Sequence, residues 1–275
     1  MFPDRRSTQT VPPSTLYSTE YLLSPALEGL PAFQAGTVSL VKQREIDLLA
    51  IRPGQRVLDL GCGRGDVVAE LLRRGFEVCG VDYSWDAARL AGGLVAGRAL
   101  VAQADAVALP FAAGAFDRVL LGDVIEHLPW PMAVRALREA ARVTTPGGRI
   151  LVHTAPNTWF IRLVLPPLLI ALRLLGRSEV LARFAEYNRL RGLMHPNELN
   201  PLSLRRLMRQ SGLTARTWVD GDVMRSGASE WTSALATNPL IRLLAKVAAG
   251  WPARLVMGND LYALVDLDPS PDVPR

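Results

Sequence analysis

The fold is decided by the stretch Val57-Leu58-Asp59-Leu60-Gly61-Cys62-Gly63-Arg64-Gly65-Asp66. An apolar run with strand character ends here in three glycines at alternate positions, and a helical pattern of apolar residues follows at once. A strand, a glycine-rich turn and a helix in this order form the first unit of a nucleotide-binding α/β sheet. Glycine is needed because the backbone must turn sharply and lie against a ligand without a Cβ atom in between. The polar groups of that ligand would then meet free amides at the N-terminus of the helix.

Apolar strands and amphipathic helices continue to alternate after this turn. The pattern predicts strands at 77–81, 100–103, 116–121 and 149–154, with helices to about 74, at 84–95 and at 131–143. A helix at 38–49 precedes the first strand. Beyond residue 200 the pattern predicts helices at 201–211 and from 239, and strands at 213–219 and 261–267. Strands that alternate with helices imply a parallel sheet with right-handed crossovers, so we predict an α/β fold.

Carboxylates follow the ends of the predicted strands. Asp59 lies within the end of the first strand, where it suits a cationic ligand better than a pyrophosphate. Asp82, at the tip of the second strand, suits a carboxylate that accepts both hydroxyls of a ribose, and Tyr83 beside it can pack on an adenine face. Asp105 and Asp123 follow the next two strands. The carboxyl ends of parallel strands form the edge at which open α/β sheets bind ligands, so these residues predict one site.

The spacing of the glycines discriminates between cofactors. A dinucleotide fingerprint requires G-x-G-x-x-G, whereas here Asp66 stands in place of the third fingerprint glycine. This departure disfavours an NAD-type oxidoreductase, which remains an alternative.

Five ordered motifs together resemble those of class I S-adenosylmethionine-dependent methyltransferases. The first motif is similar to VLDLGCGRGD, the second to VCGVDYS, the third to ADAVALPF and the fourth to FDRVLLGDVIEHLP. The region of the fifth strand is similar to LREAARVTTPGGRILVHTAPN, and HPNELNPLSLRRLMRQSGL resembles the post-core helix of the ubiquinone- and menaquinone-biosynthesis branch. The resemblance covers about 55–155 and, more loosely, 195–220. It implies a Rossmann-like three-layer sandwich with a seven-stranded, mostly parallel sheet whose last strand is antiparallel.

The resemblance also implies S-adenosyl-L-methionine as the cofactor. The glycines would line its methionine part, Asp82 would hold the ribose, and Asp105 with the Ala106 amide would bind the adenine edge. Tyr17, Tyr21 and Gln43 map loosely to the N-terminal part that closes over the cofactor. The implied cofactor-binding residues are Asp59, Gly61, Cys62, Gly63, Gly65, Asp82, Tyr83, Asp105, Ala106 and Asp123.

The histidines supply the catalytic candidates. His127 would border the methyl group, and its near-neutral pKa suits a general base. Alternatively it only shapes the pocket beside Glu126, because methyl transfer from a sulfonium often needs only proximity and alignment. His195 heads the post-core segment and can face the acceptor, whereas His153 is expected at the edge of the core. We name His127 and His195 as catalytic candidates and expect no metal site, because no metal-ligand spacing is evident.

The composition of the chain limits its possible size of core and its compartment. The chain has 275 residues, of which 49% are hydrophobic, so it can bury a substantial core. Cys62 and Cys79 lie inside predicted core elements without disulfide or metal-ligand spacing, which favours a reducing compartment. The polar N-terminus lacks an apolar signal core, so a cytoplasmic protein is expected. Residues 1–14 and 268–275 are predicted to be disordered tails.

An apolar and basic region follows the predicted core. Residues 158–256 contain 14 basic and 6 acidic side chains, a net charge of +8, whereas the rest of the chain has a net charge of −3. The almost wholly apolar stretch 159–175 contains two prolines and two arginines and is shorter than the roughly 20 residues of a membrane span. It is therefore a buried lid, an acceptor-binding cap or a patch that meets anionic lipid head groups at the inner face of the membrane. Nucleic acid is not expected as a partner, because the basic residues are scattered and form no RNA-binding module.

Together these patterns predict three structural units in order along the chain. N-terminal helices and the cofactor-binding core occupy 15–156, a helical cap is inserted at 157–200, and 201–267 complete the sheet. The predicted activity is methyl transfer to a small-molecule acceptor, with oxygen favoured and an apolar, lipid-linked, sugar or natural-product acceptor. A non-catalytic S-adenosylmethionine-binding protein is the other alternative, and the oligomeric state is left open.

Overall fold

The computed structural model describes residues 10–25, 27–174, 176–220 and 253–268. The predicted helix from residue 239 and most of both predicted tails lie outside these ranges. The predicted division into core, cap and C-terminal completion stays a prediction.

A single seven-stranded sheet organises the described chain. Its strands are β1 (Arg56–Leu60), β2 (Glu77–Asp82), β3 (Leu100–Gln103), β4 (Phe116–Gly122), β5 (Thr144–Thr154), β6 (Arg216–Asp220) and β7 (Asp260–Asp266). They lie in the order β3-β2-β1-β4-β5-β7-β6. The first five strands pair in parallel, whereas β7 is antiparallel to both β5 and β6. The predicted α/β class and the antiparallel last strand are confirmed.

Helices alternate with these strands. Those before and within the parallel part are α1 (Thr19–Leu22), α2 (Leu30–Gln34), α3 (Leu40–Leu49), α4 (Asp66–Arg73), α5 (Trp85–Val95) and α6 (Trp130–Val143). The later ones are α7 (Leu165–Leu174), α8 (Ser178–Met194), α9 (Pro201–Gln210) and α10 (Arg254–Met257). A 3₁₀ turn spans Ile125–His127, and a π-helical turn at Phe160–Val164 precedes α7.

Local polar residues fix where several helices begin. The Ser84 hydroxyl accepts from the Ala87 amide at the start of α5, as predicted. At α9, the Asn200 side chain accepts from the Ser203 amide and the Ser203 hydroxyl accepts from the Asn200 amide, which forms a capping box. These bonds satisfy backbone groups that a helix leaves unpaired at its first turn, so the sequence alone locates these helix starts.

Alternate residues of the strands point to opposite faces of the sheet. Leu58 and Leu60 of β1 belong to an apolar cluster that includes residues of α6 and α9, such as Leu137 and Leu207. Val57 belongs to a second cluster on the other side, with residues of α3, α4 and α5. The sheet is therefore buried on both faces, which explains the nearly continuous apolar sequence of its central strands.

Two strand boundaries differ by more than one residue from those predicted. β5 begins at Thr144 rather than at residue 149, because Thr144 pairs with Phe116 across a register shift and thereby includes the Thr-Pro-Gly-Gly segment. β6 begins at Arg216 rather than at residue 213, because Leu213 packs into the core beside α9 before the strand starts.

The apolar stretch after β5 forms the π-helical turn and α7. Leu165 and Leu172 are buried, whereas Leu163, Ile170 and Leu174 are exposed. Within the described ranges, none of the helices combines the length and the apolar character that crossing a bilayer requires.

Candidate functional site

The sheet has a topological switch point between β1 and β4, where the strand order reverses. Ligands of open α/β sheets bind in the crevice at the carboxyl ends of the strands beside such a point. A cavity of about 820 Å³ lies there, between the strand ends and residues of the N-terminal segment and α8. All of the predicted site residues except Gly65 line this cavity, and they are Asp59, Gly61, Cys62, Gly63, Asp82, Tyr83, Asp105, Ala106, Asp123, His127 and His195.

The glycine turn after β1 requires glycine for different reasons at different positions. Gly61 has φ +82°, and a Cβ atom there would lie 2.4 Å from Val124 Cγ2. Gly63, with φ +52°, has open space where its Cβ atom would stand. Gly65 is not a lining residue, because a Cβ atom there would meet Ala91 of α5 at 2.7 Å. The turn is thus closely packed at both ends and open to the cavity at Gly63.

Asp82 joins this turn to the start of α5. Its Oδ2 accepts from the Gly63 amide at 2.9 Å, and its Oδ1 accepts from the Ser84 amide at 2.8 Å. Burial raises the pKa of this carboxyl, although the backbone amides oppose the shift. The carboxylate is therefore held in place at the cavity wall and keeps lone pairs for a ligand.

Asp59 is a buried carboxyl beneath the glycine turn, with 3% of its surface exposed. Burial raises its pKa to about 7, Lys42 acts in the opposite direction, and Glu45, Asp66 and Asp82 raise it further. A cationic group of a ligand would remove the cost of ionising this carboxyl.

Cys62 lies in the same turn and lines the cavity. Its thiol is buried, and burial raises its pKa well above the usual range. Both effects disfavour a thiolate nucleophile at this position.

The end of the cavity near Tyr83 and Asp105 is more open to solvent. Tyr83 is 41% exposed, and its carbonyl accepts from the Gln103 side chain. Asp105 Oδ1 accepts from the Val107 amide at 3.0 Å, so the side chain stabilises its own turn. The second carboxylate oxygen and the Ala106 backbone remain to interact with a ligand at this end.

A buried ionic network that the sequence did not reveal connects the glycine turn to the N-terminal segment. The Arg64 guanidinium donates to the carbonyls of Leu22 and Glu28 at 3.3 and 2.9 Å and pairs with Asp66 at 3.0 Å. Lys42 also pairs with Asp66, at 3.1 Å. Asp66, which replaces the fingerprint glycine, thus has a structural role, and its pKa is lowered by Lys42 and Arg64 against the opposing effect of burial.

A second cluster surrounds His153, which was expected at the edge of the core but is 2% exposed and lines the cavity. Its Nδ1 lies 2.8 Å from Glu45 Oε1 and 3.3 Å from Asp123 Oδ1, and its Nε2 lies 3.3 Å from Asp260 Oδ1. Burial would lower the pKa of His153, but these carboxylates raise it well above the usual range. Glu45 on the buried face of α3, four residues after the buried Val41, was the available sequence signal.

The catalytic candidates His127 and His195 come together, with ring centroids 4.6 Å apart. His127 Nδ1 lies 3.0 Å from the Met194 carbonyl oxygen and 3.1 Å from the Tyr17 hydroxyl. Burial lowers the pKa of His127, so its imidazole is neutral at neutral pH. Glu126 beside it is 1% exposed, and its Oε2 accepts from the Thr154 hydroxyl at 2.8 Å.

The N-terminal residues were mapped only loosely from the sequence. Tyr17 and Tyr21 do line the cavity, whereas Gln43 is not a lining residue. Its side chain instead bonds with Asp47 and Arg74. The mapping of Gln43 to the cofactor site is therefore wrong.

The strand order and the mostly parallel sheet define a Rossmann-like α/β fold. Residues 58–152 match the family model described as "Methyltransferase domain".

The chain also resembles curated proteins, but over less than half of its length. The chain is 38% identical over 123 residues to the demethylmenaquinone methyltransferase of Beutenbergia cavernae, which covers 42% of this chain and 48% of the relative. It is 36% identical over 120 residues to the demethylmenaquinone methyltransferase of Thermus thermophilus. The aligned residues cover 42% of this chain and 54% of that relative. The chain thus spans about half the length of the curated relatives it matches.

Solved structures share the fold at low identity. The [4+2]-cyclase SpnF has a TM-score of 0.59 at 16% identity and covers 96% of this chain and 100% of its own. A geranyl diphosphate methyltransferase in complex with geranyl diphosphate and sinefungin has a TM-score of 0.53 at 17% identity, and covers 82% of this chain and 77% of its own. Because one fold hosts different reactions, this likeness describes the architecture alone.

Proposed function

We propose that the whole chain transfers a methyl group from S-adenosyl-L-methionine to a small-molecule acceptor, with an oxygen atom favoured as the site of methylation. The observation that carries this proposal is the composition of the cavity. Strand-end carboxylates and an open glycine turn line one side, and apolar side chains of the following helices line the other. One cavity can thus hold a cationic cofactor next to an apolar acceptor.

The residues at the strand ends fit the cofactor. The open space at Gly63 leaves room for its methionine part, and the buried Asp59 suits its ammonium group. We assign Asp82 to the ribose hydroxyls, because two backbone amides hold this carboxylate at the cavity wall. We assign Tyr83, Asp105 and Ala106 to the adenine, and the turn residues Gly61 and Cys62 to the methionine part. Asp123 borders the sulfonium in this proposal.

The opposite side of the cavity favours an apolar acceptor. Its lining side chains include Leu128, Met132, Phe160, Ile161, Phe184, Tyr187 and Met194. Several of these belong to residues 157–200, the proposed cap. The names of the curated relatives point to a quinone-type acceptor, which we propose as the first class to test.

The first contribution of the cavity to the chemistry is the alignment of the two reactants. The bound cofactor would supply an electrophilic methyl group. If the cavity aligned this group with the acceptor oxygen, proximity would provide most of the rate. When the acceptor is a hydroxyl, one proton is released for each methyl group transferred. His127 and His195 lie together at the junction of the two sides of the cavity. We assign them to the acceptor oxygen.

Peripheral contact with a membrane is a further part of this proposal. The exposed side chains Leu163, Ile170 and Leu174 lie beside Arg162 and Arg173, both also exposed. Apolar side chains flanked by arginines suit an interface with anionic lipid. We expect co-sedimentation with phosphatidylglycerol vesicles, weakened by Ile170→Glu and unaffected by the equally exposed control Leu202→Glu. Equal binding of both variants would remove the membrane part.

The activity is tested with S-adenosylmethionine that carries a labelled methyl group. The purified full chain is incubated with a panel of hydroquinones, phenols, lipid-linked sugars and polar control acceptors, and label in the extracted product is measured. Transfer to an apolar hydroxyl acceptor supports the proposal. Tight cofactor binding without transfer to any acceptor would instead favour a non-catalytic binding protein.

A further inference from the structure

Three side chains with metal-binding atoms converge at the junction between the two sides of the cavity. Glu126 and His127 belong to the 3₁₀ turn after β4, and His195 follows the last residue of α8. One ligand atom from each lies within 4.8 Å of the others. Two imidazoles and one carboxylate form a donor set that leaves coordination positions open on one side of a metal ion.

His127 presents the nitrogen that such a site needs. A backbone carbonyl can only accept a hydrogen bond, so the Nδ1 atom that lies 3.0 Å from the Met194 carbonyl oxygen must carry the hydrogen. The Nε2 atom then keeps its lone pair. Metal-binding histidines are oriented in this way, with one ring nitrogen donating to a carbonyl and the other binding the metal.

Glu126 contributes a buried carboxyl to this cluster. The side chain is 1% exposed. The Thr154 hydroxyl donates to Oε2 at 2.8 Å and thereby orients the carboxylate without neutralising it. A buried carboxylate is costly unless a cation accompanies it, and here the cavity leaves space for one.

We propose that Glu126, His127 and His195 bind one divalent transition-metal cation whose open positions face the acceptor. Imidazole ligands favour Mn²⁺, Fe²⁺, Co²⁺ or Zn²⁺ over Mg²⁺ and Ca²⁺. The acceptor that fits is a phenol or an ortho-dihydroxy compound, because its oxygen atoms can occupy the open positions.

This role of the metal rests on the proposed function. Coordination lowers the pKa of the acceptor hydroxyl, which releases its proton to solvent. The oxygen then forms a bond to the methyl carbon, and the carbon–sulfur bond breaks with its electron pair left on sulfur. The products are the methyl ether and the demethylated cofactor. The sequence predicts no metal site, because His195 is distant in the chain and only the fold brings it to the other two residues.

Metal binding is tested first without any turnover. The full chain is treated with a chelator, dialysed, and titrated with Co²⁺ by visible absorption and with Mn²⁺ by electron paramagnetic resonance. We expect one equivalent to bind. Affinity should fall at least about 10-fold in Glu126→Gln, His127→Gln and His195→Gln, since loss even of a residue that orients a ligand costs about that much. The matched control Glu186→Gln changes an exposed carboxylate on α8 and should bind as the wild type does.

A conservative variant covers the case in which a ligand variant fails to fold. Thr154→Val removes only the hydroxyl that orients Glu126, so it should weaken binding of Co²⁺ by about 10-fold. Absence of stoichiometric binding by the wild type overturns the proposal. Binding that all of these substitutions leave unchanged also overturns it, because the cation would then be held elsewhere.

Methyl-transfer assays then distinguish the role of the metal from the proposed methyltransferase function. The chelated protein should still bind S-adenosylhomocysteine in a calorimeter but should lose methyl transfer, which Mn²⁺ or Co²⁺ restores. Full transfer by the chelated protein overturns the catalytic role of the metal while leaving the proposed function intact. Failure to bind S-adenosylhomocysteine with or without metal refutes the proposed function, and the Co²⁺ titration still decides the metal site.

Discussion

Ionisation of Asp59 should control both the stability of the cofactor-free protein and its affinity for the cofactor. Burial raises the pKa of this carboxyl from 3.8 to about 7 in the folded protein, with Glu45, Asp66 and Asp82 adding to the shift and Lys42 opposing it. Between these two pH values the unfolded chain has released the proton and the folded chain still binds it. The contribution of Asp59 to stability is therefore complete below about pH 4 and is lost as the pH rises to about 7.

The size of the effect follows from the shift. Each pH unit changes the free energy of unfolding by about 1.4 kcal/mol, and the whole shift is worth on the order of 4 kcal/mol. Urea unfolding of the cofactor-free wild type and of Asp59→Asn at several pH values isolates this term, because the other titrating groups cancel in the difference. We expect the wild type to lose stability relative to Asp59→Asn as the pH rises from 5 to 7, and the difference to level off above pH 7.

Cofactor binding should show the opposite dependence on pH. If the ammonium group of the cofactor pairs with the Asp59 carboxylate, the dissociation constant should rise about tenfold for each pH unit below 7. Calorimetric titration with S-adenosylhomocysteine from pH 5.5 to 8.5 measures this, with Asp59→Asn as the variant that should lack the dependence. A flat stability difference between pH 5 and 7 would refute the burial argument, and a flat affinity in the wild type would refute the ammonium assignment.

Three further substitutions test the rest of the cofactor side. Asp82→Ala should weaken S-adenosylhomocysteine binding by about 1–3 kcal/mol in calorimetry, because it leaves buried polar groups unpaired; unchanged affinity would contradict the ribose assignment. Gly61→Ala should lower the free energy of unfolding by about 2–5 kcal/mol, from the positive φ and the clash with Val124. Adding Val124→Ala should restore the part due to the clash, and a double variant no more stable than Gly61→Ala would disprove the steric argument. Arg64→Lys should expose the N-terminal segment to limited proteolysis at least about 10-fold faster than the wild type, because lysine cannot bond both carbonyls and Asp66 at once. An unchanged cleavage rate would show that this guanidinium does not hold the segment in place.

The cofactor side of the site could be predicted from sequence because local patterns determine it. A strand places its last residues at the sheet edge, and the parallel arrangement brings all such edges together. The sequence therefore predicts that Asp59, Asp82 and Asp123 share one crevice, and they do line one cavity. Local side-chain chemistry similarly located the starts of α5 and α9.

Residues that act through distant partners were not predictable in this way. Gly65 has the same local context as Gly61 and Gly63, yet it packs against Ala91 rather than lining the cavity. The boundary of β5 was likewise set by pairing of Thr144 with Phe116, which competes with the turn propensity of its own sequence.

By itself, the sequence determined the α/β fold, the position of the glycine turn and the carboxylates of the cofactor edge, because the periods of strands and helices and the turn chemistry are local properties. Only the tertiary structure decided what surrounds them. It joined His153 to Glu45 and Asp260, connected Arg64 to the N-terminal carbonyls, and placed His195 beside His127. These contacts depend on how helices pack against the sheet, and packing joins segments far apart in the chain whose local patterns carry no information about one another.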